Sequence, residues 1–334
     1  MSPRAKAQPK ASVNGAGDKP EFLELYRQMY LIRLFEEACG EQYSKGNIRG
    51  FLHLYMGEEA IAAGAISVLR PEDYVVSHYR DHGHALARGL DTNRIMAELF
   101  GRSTGLSKGK GGSMHLFDAA KGFMGGHAIV GAQLPLAAGL ALACQYKGTG
   151  GIVLVFFGDG AVNQGVFHET MNLAAVWALP LLFFLENNLY GMGTSIERTR
   201  AGGTDIYPVA ASYGTEAVVI DGMDVLAVRE ATSEAVKKIR AGEGPKFIEA
   251  KTYRYQGHSM ADPARYRDQA ELQRWLARDP LKTFPKLMLD REIATAQEIE
   301  AVRETVALEV SGAIKFASQS PQPSKAELFT DVYA

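Results

Sequence analysis

The sequence predicts a doubly wound α/β domain with a mostly parallel sheet and a helical C-terminal extension. Two observations carry this. Between residues 153 and 188 the chain reads as strand, turn, helix, strand, turn: Val153 to Phe157, then Gly158-Asp159-Gly160, a helix-like stretch ending at Pro180, then Leu181 to Leu185 and Glu186-Asn187-Asn188. Elsewhere, short apolar runs bounded by turn residues alternate with segments of helical periodicity, the pattern of βαβ units.

The first seventeen residues carry Arg4, Lys6 and Lys10, no acid, and much Ala, Ser and Gly. A transit peptide shares that composition but needs a longer amphipathic helix. Pro3, Pro9, Gly15 and Gly17 point instead to a short disordered tail over residues 1–19. Residues 20–334 then read as a single domain. Phe22, Leu25, Met29, Ile32 and Phe35 share one helix face, and a second helix runs from Gly57 to Leu69 before Pro71. Tyr74 to Ser77 reads as a short buried strand that delivers Tyr79-Arg80-Asp81-His82. Helices follow over 81–88 and 92–100. A glycine-rich run from Gly105 to His115 continues as a loop to Gly131, and an apolar helix, Gln133 to Tyr146, leads into the strand at Gly151. Two further strands, Ala217 to Ile220 and Phe247 to Thr252, flank a helix over 225–240. Three more helices are expected over 269–276, 280–290 and 297–318.

A formal net charge of −2 gives no electrostatic basis for binding nucleic acid or a membrane surface. The most apolar stretches are far shorter than a spanning helix, so a soluble protein is expected. Cys39 and Cys144, the two cysteines, sit in apolar helical sequence and read as buried reduced thiols.

The βαβ frame carries the chemistry. Adjacent parallel strands place both of its turns at their carboxyl ends, where open α/β sheets bind ligands. Asp159 and Asn188, 29 positions (188 − 159) apart, can therefore meet. A carboxylate, an amide oxygen and a nearby carbonyl form a small hard-oxygen set that suits Mg²⁺ taking its remaining ligands from a bound phosphate. The residues after Gly160 are expected to open a helix whose free N–H groups face the same anion. On residues alone the alternative stands that Asp159 is a helix N-cap and the asparagines a turn. Other signatures fail. Lys110 is followed by Gly111 rather than Ser or Thr, which denies a phosphate loop, and His168-Glu169 lacks the second histidine of a zinc-protease helix.

Gly-Asp-Gly followed by Asn-Asn at this spacing resembles the thiamine diphosphate motif. Six segments in order extend the likeness: Arg49 to His53, Tyr79 to Gly83, Gly109 to His115, Ile129 to Gln133, Glu186 to Thr194 and Tyr253 to Ser259. From Pro20 onward the chain resembles the alpha subunits of the pyruvate dehydrogenase decarboxylating component, within the thiamine diphosphate-dependent 2-oxo acid dehydrogenases. The resemblance implies a thiamine diphosphate-binding fold and oxidative decarboxylation of pyruvate, with reductive acetylation of a lipoyl group on dihydrolipoyl acetyltransferase. In the full complex this yields acetyl-CoA and CO2. It implies Mg²⁺ bound by Asp159, Asn188 and the carbonyl of Tyr190. Gly160, Ala161, Tyr79 and Arg80 are then expected at the diphosphate, and Ala128 and Val130 at the aminopyrimidine, with Ala128 replacing a common glycine. His53 and His258 are expected to line the reactive end, where an ordinary histidine pKa suits proton transfer. An activating glutamate is expected from a second chain, so the resemblance implies a beta subunit in an α2β2 assembly and docking to the acetyltransferase core. A bacterial cytoplasmic location is expected, with mitochondrial matrix or plastid as alternatives. Acetoin and branched-chain 2-oxo acid dehydrogenase subunits, or a non-catalytic subunit of the same fold, are the competing readings.

Overall fold

The computed structural model describes residues 19–332. Apart from Lys19, which opens the first helix, the tail expected over 1–19 lies outside the described residues. Six strands form one sheet: β1 (Tyr74–His78), β2 (Phe123–His127), β3 (Val153–Gly158), β4 (Leu181–Asn187), β5 (Glu216–Asp221) and β6 (Lys246–Lys251). Their spatial order is β2-β1-β3-β4-β6-β5, and every neighbouring pair is parallel. From β1 the chain steps outward to β2 on one side and returns to β3 on the other. The β1/β3 boundary is thus the point at which strand order reverses, where such sheets open a crevice at their carboxyl ends.

The helices are α1 (Lys19–Ser44), α2 (Glu59–Ile66), α3 (His82–Ala87), α4 (Thr92–Leu99), α5 (Gln133–Lys147), α6 (Gly165–Val176), α7 (Ile196–Thr199), α8 (Val225–Arg240), α9 (Gln269–Leu276), α10 (Pro280–Asp290) and α11 (Ala296–Gln319). Strand periodicity divides the core into two layers. Leu154, Phe156, Leu182, Phe184 and Ile248 pack with α1, α2, α8 and α11, whereas Val153, Val155, Phe157, Leu181, Phe183 and Leu185 pack with α5 and α6. Burying each such side chain is worth about 1.5–3 kcal/mol, so β3 and β4, apolar on both faces, anchor the frame. The C-terminal helix α11 is integral to it: Val306, Val310, Ala313 and Ala317 belong to the first layer. Cys39 and Cys144 are buried and unpaired.

Helix ends follow their caps. Asp224, Asp268 and Asp279 accept backbone N–H groups at the starts of α8, α9 and α10, and Thr295 with Glu298 forms a capping box on α11. Two expectations are corrected. The segment up to Gly131 is not all loop, because Phe123–His127 forms the edge strand β2. Its Gly125-Gly126 pair weakens the strand signal, yet the packing requires it: a Cβ on Gly126 would stand 1.8 Å from Asp81 Oδ2, and one on Gly125, at φ +102°, 2.0 Å from the Phe117 ring. The helix after Gly160 does not begin at once, since Asp159–Asn163 forms a 3₁₀ turn and α6 opens at Gly165.

The glycine-rich run is held by an internal anion. Glu98, fully buried on α4, accepts N–H groups from Ser107 and Gly109 through Oε2 (both 2.8 Å), and from Gly111 and Gly112 through Oε1 (2.8 and 3.0 Å). Its carboxylate fills a concavity of four backbone donors, the kind of nest that binds anions. Glu98→Ala leaves these donors without a partner and should destabilise the chain by about 2–4 kcal/mol. Urea unfolding measures the loss, and trypsin should then cut at Lys108 and Lys110; an unchanged midpoint and digestion pattern would contradict this role.

Candidate active site

A cavity of about 580 Å³ opens at the carboxyl ends of β1, β3 and β4. That size lies within the range of about 300–1,000 Å³ typical of small-molecule sites. Every residue nominated from the sequence lines it: His53, Tyr79, Arg80, Ala128, Val130, Asp159, Gly160, Ala161, Asn188, Tyr190 and His258. β1 delivers Tyr79 and Arg80 just past its last residue, and β3 and β4 deliver Asp159 and Asn188. The pairing of Gly158 with Glu186 sets these two turns side by side.

Asp159 is buried and makes no ion pair among the described residues. Burial pushes its carboxyl up to about 6, against the opposing pull of its own backbone N–H and of Arg254. In the turn after β4, Asn187 Oδ1 accepts from Leu189 N and Asn188 Oδ1 from Tyr190 N, both at 3.2 Å. Leu189 sits at φ 72°, a left-handed conformation that is costly for a branched side chain and that concentrates at functional sites. The donor chemistry fits a hard divalent cation with a phosphate. Asp159, Asn188 Oδ1 and the Tyr190 carbonyl are oxygens, and a Cβ built on Gly160 meets no atom within 4 Å, which leaves its backbone open to a close ligand.

Orphaned polar atoms give a second test of fit. Glu58 Oε2, Gln133 Oε1, His53 Nδ1 and His258 Nδ1 are buried without a hydrogen-bond partner, and all four residues line the cavity. Buried polar atoms in one cavity wall without partners are what a polar ligand would satisfy.

His53 and His258 meet edge to face with ring centroids 5.2 Å apart, and Tyr79 lies 4.6 Å from the first and 5.7 Å from the second. Their protonation differs from the expectation. Burial, then the Arg80 guanidinium, lowers His53 to about 2 and His258 to about 3, with Arg254 also acting on His258. Both imidazoles are therefore neutral near pH 7, weak bases that each present one ring N–H and one acceptor nitrogen.

Arg80 is nearly fully buried, and its guanidinium reaches the wall rather than solvent. Nη1 donates to the Leu54 carbonyl (2.7 Å) and Nη2 to that of His258 (2.9 Å), while Nε stands 3.7 Å from Glu58. Two of its N–H donors thus brace the histidine loop, and the cation itself remains at the cavity.

Among the lining residues not nominated from the sequence are Arg254, Gln133, Glu58 and Glu186. Arg254, buried between Tyr253 and Tyr255, donates toward the Tyr190 carbonyl at 3.4 Å, and its place inside a quoted motif was the available signal. Gln133 anchors its amide NH2 on the Phe156 carbonyl at 3.2 Å. Glu186 opens another of those motifs, whereas Glu58 carried no local signal. Glu186 accepts from the Tyr55 hydroxyl, from His78 Nε2 at 2.6 Å and from His84 Nε2 at 2.9 Å. Burial alone would raise its carboxyl, but His84 and His78 outweigh this and hold it well below the usual carboxylate range. His78 Nδ1 accepts from Arg80 N (3.0 Å), so its Nε2 carries the proton given to Glu186.

The family model for the dehydrogenase E1 component matches residues 27–326. Over 315 residues the chain is 44% identical to a protein of Rickettsia felis named pyruvate dehydrogenase E1 component subunit alpha, covering 94% of this chain and 96% of that one. A protein of the same name from Rhizobium meliloti is 47% identical over 94% of this chain and 90% of its own. Another, from Zymomonas mobilis, is 48% identical over 94% and 89%.

Proposed function

Because this chain belongs to the dehydrogenase E1 component family, we propose that it is the alpha subunit of the decarboxylating component of a pyruvate dehydrogenase complex. It acts in the oxidative decarboxylation of pyruvate and the reductive acetylation of a lipoyl group, an oxidoreductase activity on an oxo group with a disulfide acceptor (EC 1.2.4.1). The observation that carries the reading is the meeting of Asp159, Asn188 and Tyr190 at the carboxyl ends of adjacent parallel strands, around one cavity.

Thiamine diphosphate, when bound, supplies the carbanion and electron sink by which a 2-oxo acid loses CO2. The chain's residues bind and orient. Asp159, Asn188 Oδ1 and the Tyr190 carbonyl would hold Mg²⁺, and the Gly160 and Ala161 backbone would take the diphosphate, with Tyr79 and Arg80 beside it. Ala128 and Val130 would present backbone groups to the aminopyrimidine. His53 and His258, neutral and each with a free Nδ1, would hydrogen-bond the substrate oxygen and relay protons there.

Partners are part of the proposal. Among the described residues there is one six-stranded sheet and no second α/β unit to supply an activating glutamate. Around the cavity, Phe51 (68% exposed), Ile129 (75%) and Met192 (74%) stand in solvent, an apolar rim suited to a second chain. A beta subunit in an α2β2 assembly, docked to a dihydrolipoyl acetyltransferase core, completes the site. No helix of the described chain is long and apolar enough to cross a membrane. The bacterial relatives support a bacterial cytoplasmic location, and nucleic acid has no place in the reading. The chain reconstituted with its beta subunit should turn over pyruvate with a higher kcat/KM than branched-chain 2-oxo acids or acetoin, measured with an artificial electron acceptor. A preference for either of the others would replace pyruvate, and binding of no thiamine diphosphate would leave only a non-catalytic subunit.

A further inference from the structure

We propose that Glu58 is a positioning residue for the metal-binding asparagine: its carboxylate fixes the Asn188 amide so that the carbonyl oxygen, and not the NH2 group, faces the cavity. The proposal rests on the reading of Asn188 as a metal ligand and goes beyond it, to the residue that makes that ligand an oxygen.

An asparagine amide is nearly the same shape in its two flipped states, but only one of them can bind a cation. Flipped, it would turn two N–H donors on the metal. Asn188 is held in the productive state from both ends. Nδ2 donates to Glu58 Oε1 at 2.9 Å, and Oδ1 accepts the N–H of Tyr190 at 3.2 Å. Glu58 Oε1 thus engages the NH2 end of the amide, which leaves Oδ1 as the free end beside the Tyr190 N–H. Glu58 comes from a different part of the fold, immediately before α2. It is 1% exposed, and the Arg80 guanidinium and the Asn188 NH2 group are the partners that offset its desolvation. The neighbouring asparagine is treated alike: Asn187 Nδ2 donates to Glu249 Oε1 at 2.6 Å, and Glu249 is fully buried. Each asparagine of the pair is thus oriented by its own buried glutamate. Only that of Asn188 also lines the cavity, where its second oxygen has no hydrogen-bond partner and stands 3.7 Å from Arg80 Nε.

The test is Mn²⁺ titration by electron paramagnetic resonance of the reconstituted two-chain protein at saturating thiamine diphosphate. Glu58→Leu, which removes the acceptor, should lower Mn²⁺ affinity by about 10- to 100-fold, the usual effect of losing a group that orients a metal ligand. Glu58→Gln keeps an acceptor oxygen in place and should lie closer to the parent than Glu58→Leu by about tenfold. Equal losses in the two variants would overturn the proposal, as would parent-like affinity in Glu58→Leu. Should Glu58→Leu fail to assemble, Glu58→Gln decides alone: a loss of about tenfold or more there contradicts orientation by an acceptor. Failure of the parent protein to bind Mn²⁺ with thiamine diphosphate would appear before any variant is compared, and would remove the underlying metal-site reading instead.

Discussion

Asp159→Ala is expected to abolish measurable Mg²⁺-dependent binding of thiamine diphosphate. Of the three oxygens proposed for the metal, only the Asp159 carboxylate is anionic, and no described cation pairs with it. A buried carboxyl pushed up to about 6 by desolvation gains a strong partner when a divalent ion arrives, and the ion gains its one full negative charge from the protein. Loss of that ligand should reduce cofactor affinity by about 100-fold or more, above the range for groups that only orient a ligand. The fold should survive, because Asp159 makes no ion pair that its removal would break, and its truncation relieves a buried charge. Calorimetric titration of the variant checks the affinity, and its thermal unfolding checks the fold. Near-parent cofactor affinity would mean that Asp159 is not the metal ligand.

The second large effect is dependence on a partner. Purified without a beta subunit, the chain should decarboxylate pyruvate at a rate lower by at least about 100-fold, the minimum expected from loss of a positioned acid–base group. The neutral imidazoles explain why it cannot compensate. Burial and then Arg80 lower both His53 and His258, so neither is an imidazolium near pH 7 that could protonate a cofactor group. Adding the beta subunit should restore turnover with an artificial acceptor. A robust rate from protein shown to be free of beta chain would contradict the two-chain account.

How far the sequence was legible depends on whether each signal was local. The run from Val153 to Asn188 declares itself through residues that are neighbours in sequence, and the structure places its two strands side by side in register. Helices with strong caps, such as α8 behind Asp224 and α9 behind Asp268, were legible to the residue at both ends. The edge strand β2 was not, because its two glycines answer to Asp81 and Phe117, whose approach no local pattern records. Glu98 is one acid on a short helix and reads as surface until the loop folds around it. The same holds inside the site. Glu58, Gln133 and Glu186 act through partners about 20 to 130 residues away, so their roles exist only once the sheet has assembled. The histidines were found, but their protonation was not, since the lowering comes from burial beside Arg80 and Arg254.

The proposed site would hold thiamine diphosphate through a divalent metal on Asp159, Asn188 and Tyr190. Its most direct test is calorimetric titration of thiamine diphosphate into the reconstituted two-chain protein, with Mg²⁺ and again after chelation. The account predicts saturable binding at one cofactor per alpha chain with Mg²⁺ and none after chelation. Binding of equal affinity in both conditions, or none in either, would contradict it.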